Sequence, residues 1–507
     1  MLVLEILYGF LAAWLASYGL NSFFLTVIYL WVRRQRPRPP AQPSVWPSVT
    51  VQLPIYNELH VVERSIAAAA ALDYPRELLQ IQVLDDSTDE TRLVAQRMVA
   101  RYARMGVGIQ YLHRASRSGF KAGALANGLE YATGELLAIF DADFAPPRDF
   151  LRRTVPHFSA PDVGCVQARW DHLNRTYSIL TQAQAMGTDG HFVVEQRARS
   201  EAGFFLNFNG SAGVWRRACV WGAGGWQGDT LTEDLDLSYR AQLAGWRILY
   251  VPDVRAPGEL PPQFDALRRQ QARWAQGSIQ VARKILPLLV RSDQPLRIKL
   301  EGALHLTGYM VHPLLLATLL LTLPMVLTNS RMSAFVPYCL LATAGPPLLY
   351  LLAQTERGPG WWRELRFAPI LLLLGVGLAL NNTVAMARAL LGREAGFQRT
   401  PKFAVRDGQD RWQDSRYALR CTPLVWWELL LAAFALALAL MASGGTARPL
   451  AYWLVIYALG YACVAALSLT QAVQAQRKET VQAGRGGRPK SSPAQDRSHV
   501  AQRHDVS

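Results

Sequence analysis

Leu136-Leu137-Ala138-Ile139-Phe140-Asp141-Ala142-Asp143 is an apolar run that ends in two carboxylates one residue apart. The run predicts a short strand buried on both faces. Where the chain turns after it, both carboxylates can face one cleft. Hard oxygen ligands of this kind suit Mg²⁺ or Mn²⁺, which usually bridge to phosphate oxygens. An Asp-x-Asp triplet also occurs in plain solvated loops, so its meaning depends on its surroundings.

Outward from this run, strands and helices alternate. The pattern predicts strands at 49–55, 79–84 and 107–112, and helices at 61–72, 89–104 and 121–131. This βαβ rhythm predicts a mostly parallel sheet covered by helices. Ligands of such sheets bind beyond the carboxyl ends of the strands. Asp85 and Asp86 stand at one such end, Asp141 and Asp143 at another. After about residue 160 the pattern loosens into an amphipathic stretch at 177–202, a Gly- and aromatic-rich segment, and helices near 235–243 and 263–285.

Three further clusters carry candidate chemistry. Asp85 can hold a base or ribose by hydrogen bonds, while Ser87, Thr88 and Asp89 suit a helix cap; both roles are compatible. Thr232-Glu233-Asp234 opens a helix. Its carboxylate can take the proton of an attacking hydroxyl, or the group can simply cap the helix and complement its dipole. Gln270-Gln271-Ala272-Arg273-Trp274 places Gln270, Arg273 and Trp274 on one helical face. Arg can pair with phosphate and Trp can stack on a sugar; an interfacial Trp beside a snorkelling Arg is the other reading.

The 507-residue chain is half hydrophobic and too apolar to be fully soluble. Apolar runs long enough to approach a bilayer span lie at 2–32, 303–328, 333–354, 367–387, 424–442 and 450–471. The first carries Glu5 where a signal peptide would be basic, and Arg33, Arg34, Arg36 and Arg38 follow it, as expected of a membrane anchor. Much of the net charge of +15 sits in segments flanking the runs. The positive-inside rule then puts the central domain, 393–420 and the tail in the cytoplasm. No compact basic module appears, so nucleic acid is not an expected partner. Cys165, Cys219, Cys339, Cys421 and Cys463 show no paired spacing and indicate neither zinc nor disulfides.

Asp85, Asp141/Asp143, Asp234 and Gln-x-x-Arg-Trp, in that order, resemble the signature of processive inverting family 2 glycosyltransferases, such as cellulose, chitin, hyaluronan and mannan synthases. Pro54-Ile55-Tyr56-Asn57-Glu58, Gly119 to Leu125, Val166 to Trp170, Phe208 to Gly213 and Glu259-Leu260-Pro261 are similar to the cellulose-synthase-like mannan and glucomannan synthases in particular. The resemblance covers roughly 45–420. It implies an α/β cytosolic GT-A-type glycosyltransferase domain inserted between transmembrane α-helices. It further implies that Pro54, Tyr56, Glu58, Asp85, Lys121, Asp141, Gln270 and Arg273 bind the nucleotide-sugar donor. Asp143 with Asp141 would hold Mg²⁺ or Mn²⁺, and Asp234 would be the general base. Trp274, Glu233 and Trp170 would meet the growing polysaccharide acceptor. Phe397-Gln398-Arg399-Thr400-Pro401-Lys402 resembles a gating loop in Phe397, Thr400 and Lys402, and departs from it at Arg399, where Val is common.

The expected organisation is a transmembrane helix at 1–33, a Pro/Arg linker at 34–48 and the catalytic domain at 49–285. An interfacial segment at 286–302, two transmembrane helices at 303–354 and an interfacial or re-entrant helix at 362–391 follow. The gating-like loop at 392–420, two more transmembrane helices at 424–471 and a disordered basic tail at 476–507 complete it. The re-entrant assignment keeps the gating-like loop on the side of the domain. The expected location is the plasma (inner) membrane. The expected function is polymerisation of a hexose from GDP-mannose, GDP-glucose or UDP-glucose into a β-1,4-linked mannan, glucomannan or glucan, with export that can involve partner proteins. A non-processive glycolipid-forming enzyme and an inactive membrane channel or scaffold are the competing readings.

Overall fold

The computed structural model describes residues 2–35, 40–328, 332–392, 399–444 and 448–486. Arg36, Arg38, Arg331, Phe397 and the tail from 487 lie outside them.

Among the described residues, seven strands form one sheet: β1 Val49–Ile55, β2 Leu79–Asp85, β3 Ile109–His113, β4 Leu136–Ile139, β5 Val163–His172, β6 Gly213–Arg216 and β7 Arg247–Gly258. Their order is β3-β2-β1-β4-β6-β5-β7. Four of the pairings are parallel, and only β6 runs against its neighbours β4 and β5. The sheet is thus mostly parallel, as the sequence predicts. β1 is buried at all seven positions, which fits its place at the centre. Alternate residues of β4 serve opposite cores. Leu136 and Ala138 pack with Val51, Ile66 and Phe150, while Leu137 and Ile139 pack with Leu125, Phe208 and Trp215. Polar pairs fix the β1–β2 register: Thr50 Oγ1 donates to Gln80 Oε1 at 2.7 Å and Gln52 Nε2 to Gln82 Oε1 at 3.0 Å. A one-residue slip would turn these side chains into the apolar face.

The helices are α1 Leu2–Val32, α2 Val62–Ala70, α3 Thr91–Arg104, α4 Phe120–Glu130, α5 Phe150–Thr154, α6 Ile179–Asp189, α7 Gln196–Ala202, α8 Arg217–Gly222, α9 Glu233–Leu243, α10 Phe264–Arg291, α11 Leu296–Leu306, α12 Val311–Leu327, α13 Val336–Thr355, α14 Ala368–Gly377, α15 Ala379–Leu390, α16 Leu424–Ala442 and α17 Arg448–Gly486. A π-helix, Gly190–Glu195, joins α6 to α7. Among the described residues, six helical segments are long and apolar enough to cross a membrane: Leu2–Val32, Gly308–Leu327, Val336–Thr355, Trp361–Leu390, Leu424–Ala442 and Arg448–Ala475. The α1–α13 crossing depends on small residues, since a Cβ on Gly345 would stand 2.1 Å from the Gly19 carbonyl oxygen.

α10 fastens the domain to the apolar helices. It runs through residue 285 without interruption, although Pro287 lies inside it. Arg268 donates to both carboxylate oxygens of Glu428 on α16, at 2.8 and 3.0 Å, and to Ser468 Oγ on α17 at 2.9 Å. All three side chains are buried. Asn381 Nδ2 of α15 donates to the Arg268 carbonyl at 3.1 Å. The Phe264 amide donates to Gln471 Oε1 at 2.7 Å. Replacing one member of a buried ion pair strands the other charge. Arg268 keeps Asp265, 3.5 Å from its Nε, so Glu428→Gln is expected to cost less than the about 3–5 kcal/mol of a wholly unpaired buried charge, read as a lower melting temperature in detergent.

Candidate active site

Every sequence-predicted carboxylate lies beyond the carboxyl ends of β1, β2 and β4 or on the helix facing them. Three groups of side chains form there.

The first surrounds the start of α9. Burial, followed by the charge of Glu233, raises the Asp234 carboxyl to a pKa of about 7. Its Oδ1 accepts from the Leu235 amide at 2.9 Å. Thr232 makes no side-chain cap bond, so capping alone does not explain this acidic start. Lys121 Nζ lies 2.6 Å from Asp141 Oδ1 and 3.6 Å from Glu233 Oε1, and donates to the Gly210 carbonyl at 2.7 Å. Burial pushes the Lys121 ammonium towards neutrality, but Asp141, Glu233 and Asp234 together hold its pKa above the ordinary lysine value. Lys121 is thus a fixed cation between the two acidic motifs.

Gly210 makes this approach possible. Its φ is +80°, and a Cβ there would lie 2.8 Å from Asp234 Oδ2 and 3.2 Å from Lys121 Nζ. Gly210→Ala forces a left-handed alanine, at about 1–2 kcal/mol, and displaces the carboxylate. We expect a lower melting temperature together with a turnover loss larger than any change in donor affinity.

The second group lies under the 399–420 segment. Lys402 Nζ is 2.6 Å from Asp143 Oδ2, and Arg399 Nη1 is 3.3 Å from Glu58 Oε1. Burial raises Glu58 to a pKa of about 7, against the opposing pull of Arg399. Glu259 accepts from the Phe403 amide at 2.8 Å and from the Ala404 amide at 3.0 Å, and Arg64 lies 3.3 Å from it. Thr400 is buried. Further along, His60 Nε2 is 2.9 Å from Ser415 Oγ, and Gln263 exchanges hydrogen bonds with the backbone of Leu419. Tyr417 and Arg416 bond to Asp89. The segment thus lies directly on the domain. Arg399, the departure from the resembling loop, is one of its charged anchors.

The third group is deeper. Asp85 is fully buried; it accepts from Tyr111 Oη at 2.6 Å and from the Ser87 amide at 2.9 Å. Asp86 is held by Arg114 Nε at 2.9 Å, while other Arg114 nitrogens bond the carbonyls of Ser118 and Phe120 and so fix the start of α4. The Arg117 guanidinium sits 3.4 Å from the Tyr56 ring centroid. Pro54 is buried in β1.

On α10, Gln270, Arg273 and Trp274 are partly exposed, and the charge of Arg273 lowers the Asp234 pKa. Tyr309 Oη donates to Gln271 Oε1 at 3.3 Å. Trp170 is more enclosed than a free stacking platform: its Nε1 donates to the Ser211 carbonyl at 3.1 Å, and its ring stacks on Phe192 at 5.1 Å.

Asp141 and Asp143 each hold an ammonium group at 2.6 Å, so both point oxygens at sites that already favour a cation. Among the described residues no group of three or more His, Cys, Asp or Glu side chains is set to cage a metal. The donor set fits a divalent ion only when phosphate oxygens complete its shell, the common Mg²⁺ arrangement.

A profile described as "Glycosyltransferase like family 2" matches residues 47–277. Among curated proteins, the chain is 43% identical over 355 residues to "Probable glucomannan 4-beta-mannosyltransferase 7" of Oryza sativa subsp. japonica, covering 68% of this chain and 59% of that protein. It is 45% identical over 256 residues to "Glucomannan 4-beta-mannosyltransferase 2" of Arabidopsis thaliana, covering 50% and 48%. The matches thus span about half the length of these relatives. Among solved structures, the Pyrobaculum calidifontis mannosyltransferase PcManGT, in complex with GDP-Man and Mn²⁺, superposes with a TM-score of 0.50 at 23% identity, over 76% of this chain and all of that one. This last likeness concerns the fold.

Proposed function

We propose, from the match of residues 47–277 to the glycosyltransferase family 2 profile and the 43% identity to a glucomannan 4-beta-mannosyltransferase, that the chain is a membrane-bound inverting mannosyltransferase that extends a β-1,4-linked mannan or glucomannan. The observation that carries this reading is the part-buried Asp234 carboxyl, raised to about 7, which shares the Gly210 corner with the cation Lys121, itself 2.6 Å from Asp141 at the end of β4. A base poised near neutrality suits removal of a proton from a sugar hydroxyl. In the proposed reaction Asp234 accepts the proton of the acceptor hydroxyl as its oxygen bonds to the anomeric carbon. The bond from that carbon to the donor phosphate breaks, and its electron pair leaves on the diphosphate. One displacement inverts the centre, and no covalent enzyme intermediate forms. Lys121 and Arg273 supply positive charge beside the diphosphate. Asp143 and Asp141 would hold Mg²⁺ or Mn²⁺, whose charge would stabilise the leaving diphosphate. Tyr56, Glu58 and Asp85 serve the nucleoside, and Trp274 the acceptor sugar.

The names of the curated relatives and the motif resemblance support GDP-mannose as donor, with GDP-glucose for a mixed polymer. The contacts of 399–420 with Glu58, Asp143 and Glu259 support placing this segment on the same side of the membrane as the domain. An even number of crossings then separates α10 from residue 399. Of the three apolar segments between them, Trp361–Leu390 is the one to lie along the interface: it is broken at Leu378, α14 packs on α6, and α15 packs on α10. The basic flanks support a cytoplasmic placement of both.

The test is donor selection by purified protein. Radiolabelled GDP-mannose, GDP-glucose and UDP-glucose are supplied in turn with Mn²⁺ or Mg²⁺. Incorporation from GDP-mannose that chelator abolishes is expected. Incorporation from UDP-glucose alone would overturn the mannosyl assignment.

A further inference from the structure

The helix that runs from α6 to α7 is interrupted by six residues of π-helix, Gly190–Glu195. A π-turn widens the helix and rotates the residues after it, and such bulges recur at functional sites. Within it His191 and Glu195 pair, with Nδ1 and Oε2 2.8 Å apart. The opposite ring nitrogen, Nε2, lies 3.1 Å from Asn209 Nδ2. Gln196 Nε2 in turn donates to Asn209 Oδ1 at 2.8 Å. Asn209 precedes Gly210, the residue packed against Asp234 Oδ2. A hydrogen-bonded line thus runs from beside the base to the bulge.

The surroundings show where this line leads. Phe192, next to His191, carries the stacked ring of Trp170. Gly190 faces Tyr350 on α13, where an added Cβ would stand 2.5 Å from the ring, so the bulge abuts the apolar helices. His191 and Glu195 keep side-chain exposures of 26% and 28%, while their neighbours Phe192, Val193 and Val194 are buried. Burial pushes the Glu195 carboxyl towards neutrality, but the bond to His191 and its charge pull it below the ordinary value. The result is a charged, part-open acceptor beside a ring, between the base and the membrane helices. A hydroxyl-rich chain passing that way would find an anionic oxygen, an imidazole and an amide at hydrogen-bonding spacing.

Building on the proposed function, we propose that His191 and Glu195 form an acceptor-glycan subsite, gripping hydroxyls of the sugar behind the one that reacts at Asp234. The pair binds and positions the acceptor and leaves donor chemistry to Lys121 and the aspartates.

The test compares wild type with Glu195→Ala, Glu195→Gln, His191→Ala and His191→Gln in the full-length detergent-purified protein. It measures KM for a soluble β-1,4-manno-oligosaccharide acceptor, KM for GDP-mannose, and release of GDP when water is the only acceptor. The alanine variants are expected to raise acceptor KM by about tenfold, the loss of one charge-assisted hydrogen bond, and to shorten the product. Donor KM should stay within about twofold, which also shows that the variants fold. The glutamine variants should recover part of the acceptor affinity. Variants whose acceptor KM equals wild type, or whose donor and acceptor KM rise together, would overturn the subsite while leaving the polymerase reading intact. Wild-type protein that transfers to no oligosaccharide from any donor would overturn both.

Discussion

Asp234→Asn is expected to lower sugar transfer by about 10²- to 10⁴-fold, the range for loss of a positioned base, with donor binding retained. Asparagine keeps the size and the acceptor for the Leu235 amide but cannot take a proton. The pH profile adds a second signature. The base works when ionised, so wild-type activity should climb as pH rises through about 7, where burial and Glu233 place the carboxyl. The residual activity of the variant should lack that limb. Stability runs the other way. Between the ordinary carboxyl value and about 7, the folded protein keeps a proton that the unfolded chain releases. That contribution is complete at low pH and is lost as pH rises through about 7. At pH 8 the variant no longer buries this ionised group, and its melting temperature should exceed that of wild type. Steady-state rates across pH, with thermal melts at pH 5 and 8, check both signs.

Asp143→Asn should reduce transfer by at least about 100-fold, and the remaining rate should respond little to Mn²⁺ or chelator. The reason is local: Asp143 is buried and aims Oδ2 at a position now taken by the Lys402 ammonium. An ammonium 2.6 Å from Asp143 Oδ2 repels a divalent ion approaching the same carboxylate, so Lys402 disfavours metal binding there. Lys402→Ala is therefore expected to bind Mn²⁺ more tightly in the absence of donor while turning over more slowly. Manganese titration of the two variants by calorimetry separates these outcomes.

The half of the sheet up to β4 was legible because each strand is a short apolar run with turn residues at both ends. β5 to β7 were not. β6 has only four residues, β5 ends in Trp170-Asp171-His172, and β7 carries Pro252 and Pro257, so none shows a clean period. The carboxylates of the site were legible for the same reason as the strands, since Asp85 and Asp141 stand where apolar runs stop. Their partners were not. Tyr111 on Asp85, Arg399 on Glu58 and Lys402 on Asp143 are tertiary pairings, two of them across hundreds of residues, and local sequence carries no trace of them. His191 and Glu195 have ordinary i,i+4 helical spacing, which alone marks a solvated ion pair as readily as a site. Arg399 was visible as a departure from the resembling loop, but its ion pair with Glu58 needed coordinates.

On the proposed reading this chain builds a β-linked polymer. The most direct test gives purified protein GDP-mannose with Mn²⁺, sizes the product, and digests it with an endo-β-1,4-mannanase. A product many sugars long that the mannanase reduces to short oligosaccharides is the predicted result. A single sugar on a lipid, resistant to the mannanase, would contradict it.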